Sequence, residues 1–319
     1  MKAVVYHQYG QPDVLRLDDV PRPVPSDDQV LVRVHATSIN SWDWDLLTGT
    51  FQGRMGGFRK PQYSILGADI AGRVEEVGNR CTRYKVGDEV FGDISGSGWG
   101  GLAEYVSVAE SVLAPKSPKA TFEQSAALPQ AGVLALQGLR RGQMQSGQSV
   151  LINGAGGGVG TFAVQLAKSA GAEVTAVDRP EKLKPLHSIG ADNLVDFHRE
   201  DFTRMGQRFD LVLDVTLSRS VTSQFRALSS EGRYVVVGGT TGLLLQTVAL
   251  GSLVGLMSSK KTGIVAHKPN SDDLGHLADL VDCAQLRPVI DSTYSLEDGV
   301  AAFRRFGSGL HVGKVVITV

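Results

Sequence analysis

The sequence predicts a two-domain α/β protein, in which an all-β domain is joined to a doubly wound parallel sheet. Its 319 residues exceed the size at which one hydrophobic core usually stops growing. Up to about residue 115, short alternating apolar runs are separated by Gly and Pro, which is typical of a β-barrel or sandwich. From about residue 121, apolar strands alternate with helical segments, which is typical of a parallel sheet.

The first part of the chain shows strand alternation and then a change of pattern. VLVRVHA at 30–36 places every second residue on one apolar face of a strand. Thr121 and Gln124 are spaced as a capping box that opens a helix, which Pro129 limits.

The remaining elements follow from apolar periodicity. Continuous apolar runs predict strands, and apolar residues at helical spacing predict helices. The predicted elements are a strand at 149–153, a helix at 161–171, strands at 173–178, 210–215 and 233–239, a helix near 272–284, a strand at 288–290, a helix that begins at Ser295 and is capped with Asp298, and a closing strand KVVITV.

The composition is that of an ordinary soluble globular chain. The formal net charge of -1 predicts no overall attraction to nucleic acid or to an anionic membrane. The apolar segment 242–257 is shorter than the roughly 20 residues that a membrane-spanning helix needs, so we expect it to be buried or to face another subunit. Cys81 and Cys283 are expected to be free, buried thiols, and a cytoplasmic location is predicted. The start, MKAVVYHQYG, has too short an apolar run for a signal peptide.

A glycine-rich loop follows the strand at 149–153. In SVLINGAGGGVGTFAVQLAKSAGAEVTAVD, a strand, a glycine loop, a helix and a second strand arrive in the order of a dinucleotide-binding Rossmann unit. The missing side chains of Gly156, Gly157 and Gly158 let the backbone approach a pyrophosphate, which the N–H groups and dipole of the helix start attract. Gly160 lets the helix and strand pack closely.

The register of this fingerprint departs from the strict pattern at its first position. Ala155 occupies the place of the first glycine, with Gly157 and Gly160 as the second and third and Val159 between them. An alanine is tolerated there if its φ is negative.

The residue that ends the second strand predicts the cofactor. Asp178 is expected to accept hydrogen bonds from the adenosine ribose and to repel a 2′-phosphate, which places NADH ahead of NADPH. Arg179 and Lys182 favour NADPH, because a cation beside the ribose attracts its phosphate. The nicotinamide pocket is expected to include the residues that follow the strand at 233–239, namely Gly238, Gly239, Thr240 and Thr241.

Eight segments together resemble the zinc-independent quinone oxidoreductase-like branch of the medium-chain dehydrogenase/reductase superfamily. The resemblance implies an α/β protein with a GroES-like β-barrel catalytic domain at 1–120 and 263–319, and a Rossmann domain at 121–262 between these segments. The segments are VLVRVHATSINSWDWDLLTG, LGADIAGRVEEVG, YKVGDEVFG, AALPQAGVLALQGL, NGAGGGVG, IGADNLVDF, GRYVVVGG and GKVVITV.

The resemblance also carries expectations about metal and assembly. The positions that match the catalytic zinc ligands of relatives hold Asn40, Ala68 and, roughly, Ala131, so no zinc is expected. The segment 242–257 matches the region where relatives pair subunits, which implies a homodimer.

The absence of a metal ion favours a particular class of small-molecule substrate. Hydride addition to a ketone leaves a strongly basic alkoxide, whereas addition to a quinone leaves a phenolate, whose acid has a pKa near 10. The expected reaction is therefore hydride transfer to a quinone or conjugated carbonyl. The alternatives are a 2-alkenal or thioester enoyl reductase, or a dinucleotide-binding redox sensor or structural protein.

Four residues are candidates for the substrate pocket. Asn40 can donate from its amide to a carbonyl oxygen, or it is a turn asparagine that bonds its own backbone. Trp42, Trp44 and Phe51 form either an aromatic wall for a planar ring or part of the core.

Overall fold

The computed structural model describes the whole chain except residues 56, 218, 239–241, 243–245, 248, 250 and 252–257. The chain divides into two units, Met1–Val133 with Pro269–Val319, and Leu134–Lys268. These boundaries fall later than the expected positions 120 and 262. The helix that Thr121 opens packs on strands of the first unit, and a strand of the second unit crosses position 262.

The described strands lie in three sheets. They are β1 (Lys2–Val5), β2 (Arg16–Asp19), β3 (Gln29–Ser38), β4 (Asp69–Val77), β5 (Glu89–Asp93), β6 (Tyr105–Ala109), β7 (Leu113–Pro115), β8 (Ser149–Asn153), β9 (Glu173–Asp178), β10 (Asn193–Asp196), β11 (Phe209–Asp214), β12 (Leu228–Val237), β13 (Lys261–Val265), β14 (Ile290–Ser295) and β15 (Lys314–Thr318).

The described α-helices connect or flank these strands. They are α1 (Ser41–Thr48), α2 (Phe122–Ala126), α3 (Pro129–Arg141), α4 (Gly158–Ser169), α5 (Pro180–Ser188), α6 (Val221–Ala227), α7 (Ser271–Asp282) and α8 (Gly299–Gly307). Thr121 and Gln124 form the predicted capping box at the start of α2.

The sheet of the first unit has the order β14-β15-β3-β4-β5-β7, and β6 also pairs with β3. Its pairings are antiparallel except that between β14 and β15. Val30, Val32, Val34 and Ala36 of the predicted face are buried and Arg33 is exposed, but Leu31 on the opposite face is buried as well, so the predicted alternation holds only in part. β3 therefore lies at the centre of this sheet, with β15 and β4 on either side of its C-terminal end.

The sheet of the second unit has the order β10-β9-β8-β11-β12-β13, and every pairing is parallel. Counted from β8, this is the order 3-2-1-4-5-6 of a doubly wound dinucleotide-binding sheet. The predicted fold class is confirmed. The order reverses between β8 and β11, and ligands of such sheets bind at the carboxyl ends of the strands at this point.

The predictions near the C-terminus were wrong in two places. The strand expected at 288–290 is Ile290–Ser295. The helix expected from Ser295 begins at Gly299, because Ser295 is still the last residue of β14. Its hydroxyl accepts the Asp298 N–H at 3.3 Å in the turn before that helix.

Eleven of the sixteen residues of the apolar segment 242–257 lie outside the described residues, so the burial of the segment stays a prediction. Among the residues that are described, no helix combines the length and apolarity required to cross a membrane.

Candidate functional site

The glycine loop turns the chain from β8 into α4. Gly154, directly after β8, has φ +83, a conformation that residues with a side chain rarely adopt. Its N–H and that of Ala155 donate to the Val177 carbonyl of the neighbouring strand, at 3.0 and 3.1 Å. Ala155 is not among the residues with positive φ, so it meets the condition set for an alanine there. Gly154, which makes the turn after β8, was not among the predicted loop residues.

Two glycines of the loop lack side chains for different reasons. A Cβ on Gly160 would lie 2.3 Å from the Gly154 carbonyl oxygen and 2.5 Å from the Ala155 Cα, so the helix packs against the loop backbone with no space for a methyl group. A Cβ on Gly157, the N-cap of α4, would meet only the Gly154 oxygen at 3.6 Å. The space beside Gly157 is open, and it adjoins the N-terminus of a 12-residue helix, where anions bind readily.

Asp178 ties the loop to the end of β9. This nearly buried carboxylate accepts the Gly156 N–H through Oδ2 at 2.7 Å and the Arg179 N–H through Oδ1 at 2.8 Å. The Lys182 side chain, also buried, packs over Gly156, where a Cβ would lie 2.6 Å from its Cδ. The structure therefore brings Asp178, Lys182 and the loop together, and Asp178 supports the loop in addition to its predicted place beside a ribose.

A second buried carboxylate holds the ends of β8 and β11 at the switch point. Asp214 is fully buried and accepts from Asn153 Nδ2, Gln224 Nε2 and the Tyr234 hydroxyl, each at 2.8 Å. It also accepts backbone N–H groups of the loop that follows β11, including that of Leu217 at 2.9 Å. Burial and the Asp214 charge raise the pKa of Tyr234, so its hydroxyl remains a donor. The sequence argument missed this network, although Asp214 ends its strand as Asp178 ends β9.

The predicted nicotinamide pocket is only partly described. Gly238 follows β12 with φ +82, and no atom of the described residues lies within 4 Å of a Cβ placed on it. Gly239, Thr240 and Thr241 lie outside the described residues.

The topology of the first unit brings three distant residues together. Asn40 comes directly after β3 and is the N-cap of α1. Because β3 is antiparallel to both β4 and β15, its C-terminal end meets the first residues of those strands, Asp69 and Lys314. All three side chains are at most 6% exposed.

These residues form one hydrogen-bonded group, the Asn40 cluster, which consists of Asn40, Asp69 and Lys314. Asn40 Nδ2 donates to Asp69 Oδ2 at 2.9 Å, and the Lys314 ammonium donates to Asn40 Oδ1 and, at 3.2 Å, to Asp69 Oδ2. Ser38 Oγ lies 3.0 Å from Asp69 Oδ2, and the Gln130 N–H donates to Asp69 Oδ1 at 3.0 Å. Burial raises the pKa of the Asp69 carboxyl, and the Lys314 ammonium opposes that rise.

Asp43 supports the start of α1 from inside the unit. It is fully buried, and its carboxylate accepts the Asn40 N–H and the Gly67 N–H, both at 2.8 Å. Burial raises the pKa of Asp43 to about 7, although these two donors favour its charged form. The backbone of Asn40 is therefore held by one buried acid and its side chain by another.

The three aromatic residues that were expected to form either a wall or part of the core have different surroundings. Trp42 is 45% exposed and Phe51 is 76% exposed. Trp44 packs against Phe306 at a ring-centroid distance of 6.2 Å and joins the core beneath α8. Of the two alternatives for these residues, core packing applies to Trp44.

A different aromatic group surrounds Trp42. The Trp42 ring meets the Trp99 ring edge-on, with a centroid distance of 5.9 Å. The Tyr63 ring packs against Trp99, with a centroid distance of 6.1 Å. Trp99 is buried and has φ +66, which is unusual for a residue with a bulky side chain. The sequence argument missed Trp99 and Tyr63 because both lie in irregular loops without periodicity.

Comparison with known proteins decides the family. The model of the alcohol dehydrogenase GroES-like domain matches residues 26–118, and that of the zinc-binding dehydrogenase matches residues 189–317. A 2-methylene-furan-3-one reductase of Solanum lycopersicum is 34% identical, over 99% of this chain and 79% of its own length. The chain belongs to the quinone oxidoreductase-like branch of the medium-chain dehydrogenase/reductase superfamily.

Two further members of the superfamily match over nearly the whole chain. A chloroplastic NADPH-dependent alkenal/one oxidoreductase of Arabidopsis thaliana is 31% identical over 99% of this chain and 79% of its own length. The solved quinone oxidoreductase of Coxiella burnetii has a TM-score of 0.91 and 31% identity, with 100% of this chain and 99% of that chain covered.

The donors of this quinone oxidoreductase-like chain do not fit zinc at the position expected for a catalytic metal. Ala68 precedes Asp69 and Ala131 follows Gln130, and an alanine side chain offers no ligand. Asp69 is already bound by the Lys314 ammonium. Elsewhere in the described part of the chain, no group of three His, Cys, Asp or Glu residues is placed to hold a metal ion.

Proposed function

We propose that this chain transfers hydride from a nicotinamide dinucleotide to a quinone or a conjugated carbonyl compound. The observation that carries the proposal is the Asn40 cluster, which offers a neutral amide donor at the position where zinc-dependent relatives carry metal ligands. The relatives are named for reduction of a furanone, of alkenals and enones, and of quinones, which supports the same substrate class.

The chemistry suits a donor without a metal ion. The alkoxide formed from a ketone is comparable in basicity to hydroxide, whereas a phenolate belongs to an acid of pKa near 10. The difference of roughly 5–6 units corresponds to about 7–8 kcal/mol that a metal ion does not have to supply. An enolate from a conjugated carbonyl lies between the two. One amide N–H of Asn40, aimed at the developing oxyanion, and a proton from solvent complete the reduction.

The second unit carries the residues that would bind the dinucleotide. When bound, the cofactor supplies the hydride. The open space at Gly157 and the N-terminus of α4 receive the pyrophosphate, and Asp178 faces the adenosine ribose. We infer a preference for NADH, because the Asp178 charge repels a 2′-phosphate. Arg179 and Lys182 oppose this preference, as does the NADPH dependence of the Arabidopsis relative.

We propose that the reaction is independent of zinc. The basis is the pairing of Asp69 with Lys314 and the alanines at the other two ligand positions. Prolonged treatment with a chelator is expected to leave the turnover number unchanged, and elemental analysis is expected to find far less than one zinc per chain. One tightly bound zinc per chain would contradict this part of the proposal.

The deciding experiment is turnover of NADH and NADPH with a panel of 1,4-quinones, cyclic enones, 2-alkenals and an enoyl thioester. We expect measurable turnover with quinones or enones and none with simple ketones. The relative from Solanum lycopersicum is named a 2-methylene-furan-3-one reductase. Its name makes enone reduction the second candidate function. Binding of the dinucleotide by fluorescence titration without turnover on any member would instead indicate a sensor or structural protein.

We infer a homodimer and a cytoplasmic location for the chain. The dimer is supported by β13, which is an edge strand of the described parallel sheet, and by the apolar segment 242–257, which precedes β13 in the sequence. Sedimentation at micromolar concentration tests it, and a monomer would contradict it. The location is supported by two free cysteines, although Cys81 is half-buried and Cys283 exposed, not buried as expected.

A further inference from the structure

We propose that Lys314 is a positioning residue that fixes the orientation of the Asn40 amide, so that Nδ2 and not Oδ1 faces the substrate. The inference rests on the proposed function, because it names the group that prepares the donor for hydride transfer. Lys314 lies 274 positions from Asn40 in the sequence and reaches it only because β15 pairs with β3.

The orientation follows from the chemistry of the two neighbours. A primary amide has a donor end and an acceptor end that are nearly equal in size, so shape alone does not distinguish them. The Lys314 ammonium can only donate, and it contacts Oδ1. Asp69 Oδ2, which is paired with the same ammonium at 3.2 Å, accepts from Nδ2 at 2.9 Å. If the amide were flipped, its Nδ2 would face the Lys314 ammonium, which is also a donor. Its Oδ1 would face the Asp69 carboxylate, which is also an acceptor.

Burial makes this restraint strong. Asp69 and Lys314 are 0% and 2% exposed, so water cannot replace a lost contact. Contacts to charged groups are also the stronger kind of hydrogen bond. Asn40 itself is 6% exposed. The amide is therefore fixed with one Nδ2 hydrogen committed to Asp69 and the other left for a ligand.

The ammonium has a second effect on the donor. By donating to Oδ1, it draws electron density from the amide and strengthens the N–H groups as donors, since hydrogen bonds in a chain polarise one another. Asp69 and Lys314 also compensate each other's charge. The group that strengthens the donor therefore also balances the charge of Asp69.

The test compares two buried lysines of the same unit. Lys314→Met removes the contact to Asn40. Lys116→Met is the matched control, because the Lys116 side chain is 5% exposed and its ammonium pairs with Glu89 at 3.1 Å, while its contacts do not include Asn40. Single-turnover hydride transfer to one enone and one quinone is measured for wild type, both variants, Asn40→Ala and the Asn40→Ala/Lys314→Met double variant.

We expect Lys314→Met to slow enone reduction by about tenfold or more, but by less than the 10²–10³ that loss of a whole oxyanion donor costs. Quinone reduction should slow less, because its phenolate product needs the donor less. The double variant should be no slower than Asn40→Ala, and dinucleotide affinity should not change. Lys116→Met should leave the ratio of enone to quinone rates at the wild-type value. Equal losses on both substrates, or additive losses in the double variant, would overturn the inference.

A measurement on the wild-type protein keeps the inference testable if Lys314→Met does not fold or if no substrate is turned over. In ¹⁵N-labelled protein, the two side-chain amide protons of Asn40 are assigned by their absence in Asn40→Ala. We expect the proton bonded to Asp69 to be protected from solvent exchange and the other to exchange faster. Equal exchange of the two protons would overturn the orientation. Absence of turnover together with the expected difference would refute the proposed function alone.

Discussion

The glycine loop of the second unit and the Asn40 cluster of the first are built in opposite ways. The loop occupies seven consecutive residues, 154–160, and acts through backbone N–H groups and missing side chains. The cluster joins residues at positions 40, 69 and 314 through their side chains. The first depends on local spacing, whereas the second depends on the order and register of three strands. A site of the first kind can be recognised from sequence, and a site of the second kind requires the fold.

The parallel sheet illustrates what local sequence determines. The strands at 149–153 and 173–178 have the predicted bounds, because continuous apolar runs with a glycine turn between strand and helix leave few alternatives. The exact turn residue, Gly154, was missed because the fingerprint begins one position later. The misplaced strand at 288–290 has a physical reason too: its true extent, 290–295, carries the polar residues IDSTYS and shows no apolar run.

The Asn40 cluster illustrates what sequence alone leaves open. Asp69 and Lys314 each begin a strand whose next three residues are uncharged and buried, and a charged residue in that place needs a partner. This signal says that a partner exists but does not name it. Pairing Asp69 with Lys314, which are 245 positions apart in the sequence, requires knowing that β4 and β15 flank β3.

The largest effect is expected from two glycine substitutions that test the backbone-built site. Gly160→Ala should destabilise the second unit by about 1–3 kcal/mol or more and abolish dinucleotide binding, because its Cβ would overlap backbone atoms of the loop. Gly157→Ala has room for its Cβ, so the melting temperature without ligand should stay unchanged. Its methyl group should nevertheless weaken dinucleotide binding by about tenfold or more, since it occupies the expected pyrophosphate space.

Thermal unfolding and fluorescence titration of these two variants separate packing from ligand approach. If Gly157→Ala binds NADH as tightly as wild type, the pyrophosphate does not lie against that residue. If Gly160→Ala is as stable as wild type, the close contact between α4 and the loop is not a constraint on the fold.

A smaller effect is expected from pH, and it tests the acid beneath Asn40. Burial raises the pKa of Asp43 from 3.8 to about 7, so the folded chain binds a proton more tightly than the unfolded chain. Its contribution to stability should therefore fall as pH rises from about 4 to about 7, by on the order of a few kcal/mol. In Asp43→Asn this part of the pH dependence should vanish, as measured by denaturant unfolding between pH 5 and pH 8.

Asp291 is the matched control with the opposite sign. Although burial opposes the shift, the paired Arg305 guanidinium lowers the pKa of Asp291 to about 2. Its contribution is present above about pH 4 and lost as pH falls towards 2. Asp291→Asn should therefore leave the profile between pH 5 and pH 8 parallel to wild type. A wild-type profile that rises with pH across that range would refute the assignment to Asp43.

The smallest effect is expected at Asp178. At this residue a side chain supports a loop that otherwise acts through its backbone. Asp178→Asn keeps an oxygen that can accept the Gly156 N–H but removes the charge that would repel a 2′-phosphate. Asp178→Ser removes both. The ratio of kcat/KM for NADPH to that for NADH should therefore rise by a similar factor in both variants, on the order of tenfold, or about 1.4 kcal/mol. The absolute kcat/KM for NADH should fall further in Asp178→Ser, because loss of the loop contact weakens both cofactors alike. If the ratio moves in neither variant while the Ser variant still loses activity, Asp178 serves the loop alone and the ribose assignment is wrong.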